Sequence, residues 1–517
     1  MADEIKTPKQ RNLAGGLLTL SQLQKKGKKV FRGKEFPRRQ LGVLTDAGFL
    51  RPMIKGWYVA ARPGEAPGDT TPWHAAMRDF IVAYCDHRFG ETWHLSPVDS
   101  LREHAGATAP PKQIVVHAPA AANNTMDLPD LTSLFTYRDR EAARGEQLEV
   151  IRGMRVLALP LALTRAPGTF FKTYPTDAQV ALGNLKNAAE LSRELLSGGH
   201  GVVAGRLIGA LRAVGRGDIA AEIAATMKAA GYSVVESDPF DVTPHMLENS
   251  RPSSPYRLRM EIMWSTMRPQ VARIVPAQPG LPSDPAKYLS AVDEAYTTDA
   301  YHSLSIEGYQ VTDDLINRVA AGAWNPEKDE DDANTRNAMA ALGYRKAFLA
   351  VQQSLANILR GDNAGEVVRA DHNEWYRALF GPSVTAGLMK ASDLAGYRNA
   401  QAYIRNARHV PPPREAVSDM MYTLFDLLAR EGHPGVRAVL GHFFFVFIHP
   451  YMDGNGRIGR FLMNALMCSG GYPWTIIRVE RREEYMSALD SASGDQDIVP
   501  FTEFIVSCIG EAKAAGR

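Results

Sequence analysis

The stretch HPYMDGNGRIGR, residues 449–460, gathers the residue types that chemistry on a phosphate needs. It holds one histidine, one acid, three glycines and two arginines, directly behind the apolar run HFFFVFI. His449 can accept a proton near pH 7. Asp453 is the one carboxylate in reach, and one carboxylate plus phosphate oxygens is a usual way to hold Mg²⁺. Gly454, Asn455 and Gly456 stand at the start of a helix, where backbone N–H groups form an anion-binding nest. Glycine there lets a ligand approach the backbone closely. Arg457 and Arg460 are three apart on one face of the first turn, and two guanidinium forks suit a di- or triphosphate. Arginines at a helix N-terminus oppose its dipole, a conflict that a bound anion resolves. Base, metal ligand, nest and paired arginines together point to nucleotide-dependent group transfer to a hydroxyl.

Other phosphate and metal motifs do not fit. The chain has no Gly-x4-Gly-Lys-[Ser/Thr] and no His-Glu-x-x-His. Counted from Asp453 as a calcium loop, the sixth position is Ile458 and the twelfth is Asn464, so the glycine and glutamate of an EF-hand are missing. Two helices must position the turn. GVRAVLGHFFFVFI reads as a helix buried nearly all round, a rigid peg for the loop, and IGRFLMNALM as a second that ends at Gly470-Gly471.

A chain of 517 residues is too long for one core and suggests about three or four domains. No run reaches the roughly 18 apolar residues of a membrane span. The longest candidate, residues 438–448, is interrupted by Gly441 and His442. Cys85, Cys468 and Cys508 are too scattered for a disulfide framework or a zinc pair, and MADEIKTPKQ has no apolar signal core. The expectation is a cytoplasmic protein with no membrane partner.

The net charge of +2 hides an asymmetry: residues 1–60 carry 13 Lys and Arg against four Asp and Glu, and the remainder 46 against 53. A basic head on a mildly acidic body suggests that the head meets a polyanion, or is a solvated tail. LLTLSQLQKKG reads as a helix. FPRRQLGVLTDAGFL reads as another, with Phe36, Leu41 and Leu44 on one face and Gly48 as its stop. LRPMIKGWYVA alternates as a hairpin turning at Lys55-Gly56. Two helices and a basic hairpin look like a winged helix-turn-helix, used on duplex DNA or for protein contact. Arg38, Arg39, Arg51 and Lys55 are the candidate phosphate contacts.

The expected organisation is a multidomain chain with an α+β N-terminal part and a mostly α C-terminal part. Residues 1–65 form the basic winged helix and 66–165 a small mixed domain with strands at QIVVHAP and MRVLALP. Residues 166–284 hold an Ala-rich helical scaffold or dimerisation layer, compatible with a homo-oligomer, and a linker that begins the proline-rich stretch VPAQPGLPSDPAKYL. Residues 285–517 carry the chemistry.

Two resemblances add to this. LTDAGFLRPMIKGWYVA and TWHLSPVDSLREHAG resemble AbiEi-type antitoxin regulators, a winged helix followed by a small mixed domain. HPYMDGNGRIGR resembles the signature of Fic-domain proteins, with Tyr451 for the usual Phe. The Fic resemblance implies a helical Fic fold over residues 285–517 and transfer of AMP from ATP to a Ser, Thr or Tyr hydroxyl of a target protein. It implies His449 as the base, Asp453 as the Mg²⁺ ligand, Gly454, Asn455 and Gly456 as the phosphate cradle, and Arg457 and Arg460 on the rest of the triphosphate. AGYRNAQAYIRNARHVPPP resembles the family's β-hairpin flap, which aligns a target by strand addition. RREEYMSAL resembles the stretch near the base, making Tyr485 a candidate nucleotide contact. SLSIEG, residues 303–308, resembles the family's inhibitory motif, with Ser303 and Glu307 on one helix face and Glu307 paired with Arg460 in the place of the γ-phosphate. The combined expectation is an autoinhibited protein adenylyltransferase with a DNA-binding head. Its rivals are a DNA-binding regulator or antitoxin using the Fic domain as a nucleotide sensor, and an enzyme that removes AMP.

Overall fold

The computed structural model describes residues 7–63, 71–198, 200–241, 243–246, 254–323 and 335–515. MADEIK and the expected 65/66 boundary lie outside them. The chain forms two compact units, one of residues 1–255 with 403–410, the other of 256–402 with 411–517.

In the first unit, α1 (Pro8–Lys25) begins earlier than LLTLSQLQKKG suggests, because Thr7 and Gln10 form a capping box ahead of Pro8. Strand β1 (Val30–Arg32) and α2 (Arg38–Asp46) follow, then β2 (Leu50–Ile54) and β3 (Trp57–Ala60), in an antiparallel sheet of order β1-β3-β2. Phe36 lies one residue ahead of Pro37, the N-cap of α2, in extended backbone, yet still packs with Leu20, Phe31, Leu44 and Leu50. The hairpin turns as expected at Gly56, whose φ of 82° favours glycine.

Next come α3 (Thr71–Phe89), β4 (His94–Leu95), α4 (Pro97–His104), β5 (Gln113–Ala118), β6 (Asn124–Asp127) and β7 (Ser133–Arg138). Their sheet has the order β4-β5-β7-β6, with β5 and β7 parallel and the outer strands antiparallel. A hairpin of β8 (Leu148–Ile151) and β9 (Met154–Leu157) precedes the Ala-rich helices. These are α5 (Leu159–Arg165), α6 (Phe170–Thr173), α7 (Pro175–Gly183), α8 (Ala188–Ser197), α9 (Gly201–Ala213) and α10 (Gly217–Ala229).

The second unit starts about thirty residues before the expected 284/285 boundary. The reason is packing. Helix α11 (Pro255–Ile274) sends Met260, Met263, Trp264, Met267 and Val271 into the core of this unit. The proline-rich stretch behind it is not a free linker: Gly280 N–H donates to Gly470 O (3.0 Å) and Tyr472 Oη to Pro276 O (2.7 Å).

The helices of this unit are, after α11, α12 (Pro285–Glu294), α13 (Tyr296–Ile306), α14 (Asp313–Ala320), α15 (Thr335–Leu359), α16 (Ala364–Thr385), α17 (Arg414–Arg430), α18 (Pro434–Ile448), α19 (Asn455–Cys468), α20 (Arg482–Asp490) and α21 (Val499–Ala514). No described helix is long and apolar enough to cross a membrane. Helix α18 is the expected peg, with Phe443, Phe444, Phe445, Phe447 and Ile448 all at most 2% exposed.

The flap is not a β-hairpin. No residue from 397 to 413 is in a strand. Pro411, Pro412 and Pro413 have no N–H to give a ladder. Side chains tie the arms instead: Gln401 Nε2 donates to Pro411 O (2.8 Å) and Arg398 to Pro412 O.

Helices α15 and α16 meet so closely that a Cβ on Gly343 would lie 1.9 Å from Leu379 O. An exposed helix-interior Gly→Ala change gains about 1 kcal/mol in propensity, but this clash is with backbone and reverses the sign. Gly343→Ala is expected to lose about 1–3 kcal/mol, read as a lowered melting transition of the full chain by calorimetry.

Candidate active site

Helix α18 ends at His449, which adopts left-handed backbone, φ 54° and ψ 60°. For a residue other than glycine this costs roughly 1–2 kcal/mol. Hydrogen bonds hold it in place: His449 N–H donates to Phe445 O (3.0 Å), and Arg398 Nε donates to His449 O (2.8 Å). Arg398 is 4% exposed and also donates to Ile448 O, to Ala400 O and, through its backbone, to Pro450 O. It therefore satisfies carbonyls at the end of the peg helix and ties them to both arms of the flap. Burial lowers its pKa to about 10, which leaves it charged at neutral pH.

The loop turns back through Tyr451. Its ring stacks on Tyr376 at 3.8 Å with 3° between planes, and its hydroxyl donates to Asn373 Oδ1 (2.7 Å). The Asn455 side chain closes the turn, accepting from Tyr451 N–H and donating to Tyr451 O, both 2.8 Å. That amide is a brace, so what Asn455 offers a ligand is its backbone. Gly454 has φ 82° at the N-cap of α19, and a Cβ there would strike the Phe380 ring at 2.6 Å.

At the mouth of α19 the charges are arranged in pairs. Arg460, 4% exposed, donates from Nε to Ser303 Oγ (2.9 Å) and from Nη2 to Ser303 O (3.0 Å) and Glu307 Oε1 (2.9 Å). Arg457, 1% exposed, lies between the rings of Tyr309 (5.1 Å) and Phe380 (4.9 Å) and reaches Asp453 Oδ1 at 3.2 Å. Asp453 also accepts from Gly454 N–H (2.6 Å), and its side chain is 56% exposed.

Glu307 caps the C-terminus of α13, and Gly308 ends that helix with φ 83°. This break aims the carboxylate at the N-terminus of α19, where a Cβ on Gly456 would lie 2.2 Å from Glu307 Oε1. Burial alone would raise the Glu307 pKa, but the charges of Arg460 and Arg457 outweigh it and hold the group below the usual carboxylate range. A negative oxygen thus already sits in the helix-terminal nest.

The structure therefore brings together His449, Asp453, Gly454, Asn455, Gly456, Arg457, Arg460, Ser303 and Glu307 around one helix terminus. Tyr485 differs. It is 1% exposed, its hydroxyl lies 2.7 Å from His442 Nε2, and it packs with Phe501 and Phe504 while also feeling the charges of Arg460 and Glu307. Arg398 falls in the flap-like stretch AGYRNAQAYIRNARHVPPP with nothing in the sequence to mark its clamp role, and Tyr309 and Phe380 carry no sequence signal at all.

Residues 370–467 match the model of the Fic/DOC family. The matched segment runs from α16 through α19 and contains the loop just described. Among curated proteins, the chain is similar to "Protein adenylyltransferase Fic" of Nematostella vectensis, 30% identical over 223 residues, 42% of this chain and 48% of the relative. It is also similar to the protein of that name from Drosophila willistoni, 33% identical over 227 residues, 42% and 41% of the two chains. The chain spans less than half the length of these relatives. Among solved structures, "Fic-1 (aa134 - 508) from C. elegans" aligns with 69% of this chain and 91% of its own, at 20% identity and a TM-score of 0.36.

His449 Nδ1 faces Val446 O at 3.3 Å, which leaves Nε2 to present a lone pair. Burial pushes its pKa from 6.5 down to about 4, with the Val446 carbonyl opposing the shift. The neutral ring thus adds stability that is complete above about 6.5 and is lost as pH falls toward 4. In an NMR titration, the imidazole signals absent from His449→Ala should have their midpoint well below 6 in the nucleotide-free protein. A midpoint at or above 6.5 would contradict this environment.

Proposed function

We propose that the protein is an ATP-dependent protein adenylyltransferase held in check by Glu307. The observation that carries this is the arrangement at the α19 N-terminus: two buried guanidinium groups, a glycine cradle, and a carboxylate of the same chain lying where an anion fits. Arg460 Nη1 and Arg457 Nε are buried without a hydrogen-bond partner, so the cradle has donors left for more anionic oxygens than Glu307 supplies. The curated relatives' name, adenylyltransferase, supports the choice of AMP as the group moved.

In this reading the β- and γ-phosphates take the Gly454–Gly456 backbone and the arginines. The target's Ser, Thr or Tyr oxygen attacks the α-phosphorus as the bond to diphosphate breaks. His449 Nε2 takes the hydroxyl proton. Asp453, with its exposed carboxylate, would hold Mg²⁺, whose contribution is to neutralise phosphate charge. Arg398 positions His449 by fixing the carbonyls behind it. While Glu307 remains in the nest, a triphosphate is displaced into an unproductive pose.

The head supports a regulatory role beside the enzyme. Its α2 lies in the chain between β1 and β2 of an antiparallel sheet of order β1-β3-β2, an order compatible with a winged helix. Arg38, Arg39 and Lys55 are exposed and Arg51 partly so. Residues 1–65 are proposed to bind duplex DNA by phosphate contacts. The full chain should then bind labelled duplex with an affinity that falls steeply with salt, and Arg38→Ala with Arg39→Ala should flatten that slope; binding indifferent to salt would remove this role.

The enzyme is tested with α-labelled ATP, Mg²⁺ and cell lysate. Glu307→Gly is expected to raise label incorporation by at least about tenfold, the effect of removing roughly 1.4 kcal/mol of inhibition. Equal incorporation by both proteins would dispose of the inhibitory role. His449→Ala should abolish transfer while retaining nucleotide affinity; label transfer at the wild-type rate would exclude it as the base. If wild type instead strips label from pre-modified protein, AMP removal is the activity.

A further inference from the structure

The small mixed sheet of the first unit carries a second cluster of chemistry-bearing side chains. His94 on β4 is the direct cross-strand partner of His117 on β5. His117 is in turn register partner to Tyr137 on β7, and Asp139 follows two residues on, toward the same side. One donor atom from each of His94, His117 and Asp139 lies within 4.8 Å of the other two. The cluster sits at the carboxyl ends of the parallel strands β5 and β7, the edge where such sheets present ligand-binding residues.

We propose that His94, His117 and Asp139 form a binding site for a divalent transition-metal ion of the Zn²⁺ type. The argument is geometric. His117 Nδ1 and Asp139 Oδ2 are 3.1 Å apart, close to the ~3.3 Å edge of a tetrahedron with metal–ligand bonds of about 2.05 Å. His94 Nδ1 faces the Leu95 carbonyl at 2.7 Å. That bond fixes the tautomer with the lone pair on Nε2, the support that metal-bound histidines require. Nε2 receives the Ala143 N–H at 3.2 Å, a long contact that an ion exchanges for a metal–nitrogen bond. Asp139 Oδ1 is anchored by Glu141 N–H at 3.0 Å, which holds the carboxylate toward the histidines.

The donor set narrows the ion. Two imidazoles and one carboxylate suit zinc, iron, nickel or copper, and not Mg²⁺ or Ca²⁺, which prefer oxygen. Three protein ligands leave a fourth position open to water. His94 is 1% exposed, while the side chains of His117 and Asp139 are 17% and 22% exposed, so the site is anchored inside and reachable from outside. An ion there clips β4, β5 and the segment after β7 together, in a sheet whose strands are only two to six residues long.

The full chain, stripped with EDTA and dialysed, is titrated with Co²⁺ and followed by visible absorption, then with Zn²⁺ and followed by thermal shift. One equivalent is expected to give d–d bands and raise the first transition by several degrees. Asp139→Asn, which keeps the side chain's shape, and His117→Gln should weaken binding by at least ~100-fold, beyond what loss of an outer-shell partner costs, while melting like wild type in EDTA. Asp453→Ala separates this site from the catalytic loop and should keep both signals. A wild-type chain with neither d–d bands nor a zinc-dependent shift overturns the proposal. So does retention of both signals by Asp139→Asn and His117→Gln.

Discussion

The site is organised around the buried guanidinium of Arg460. A cation at a helix N-terminus faces the positive end of the dipole, and one that is also desolvated needs an anion in contact with it. The fold meets this need from within: Ser303 gives a hydroxyl and a carbonyl, and Glu307 gives a carboxylate held ionised by the two arginines. Displacing that carboxylate leaves Arg460 buried and uncompensated until another anion arrives. The same electrostatic demand holds the unliganded structure together and, in the function proposed above, is what a nucleotide's phosphates would satisfy in place of Glu307.

Such a demand is useful only if the loop is immobile. Helix α18 supplies an almost wholly buried rod, and α19 packs on it with small residues at the closest approaches: a Cβ on Gly441 would lie 2.6 Å from Leu466, and one on Gly459 about 3.1 Å from Val446. The strain at His449 persists because Arg398 and the Phe445 carbonyl hold it from two sides. Phe380 serves twice, filling the space beside Gly454 and flanking Arg457.

The loop was legible because its chemistry is local. Twelve consecutive residues set the base, the acid, the glycines and the arginines, and helix periodicity placed them relative to one another. The Ser303–Glu307 spacing was legible for the same reason, and Gly308 marks where α13 must stop. Arg398, Tyr309 and Phe380 were not, because they come from segments far apart in sequence, and only the tertiary structure makes an ordinary arginine a clamp. Tyr485 resembled a ligand contact on neighbouring residues alone; its burial against Phe501 and Phe504 is a fact of packing. The flap looked like a hairpin from its outline, although three successive prolines already argued against a ladder. The proline-rich segment before α12 looks like a linker in composition, which does not reveal the Gly470–Tyr472 surface on which it lies.

Gly456 has a consequence of its own. The absence of a side chain at this one position leaves room for the Glu307 carboxylate. Enlarging residue 456 would push that carboxylate off the α19 terminus and, in the proposed reading, crowd a nucleotide in the same step. In that reading, restraint and turnover can drift apart only through the α13 side of the cleft, the helix that carries Glu307.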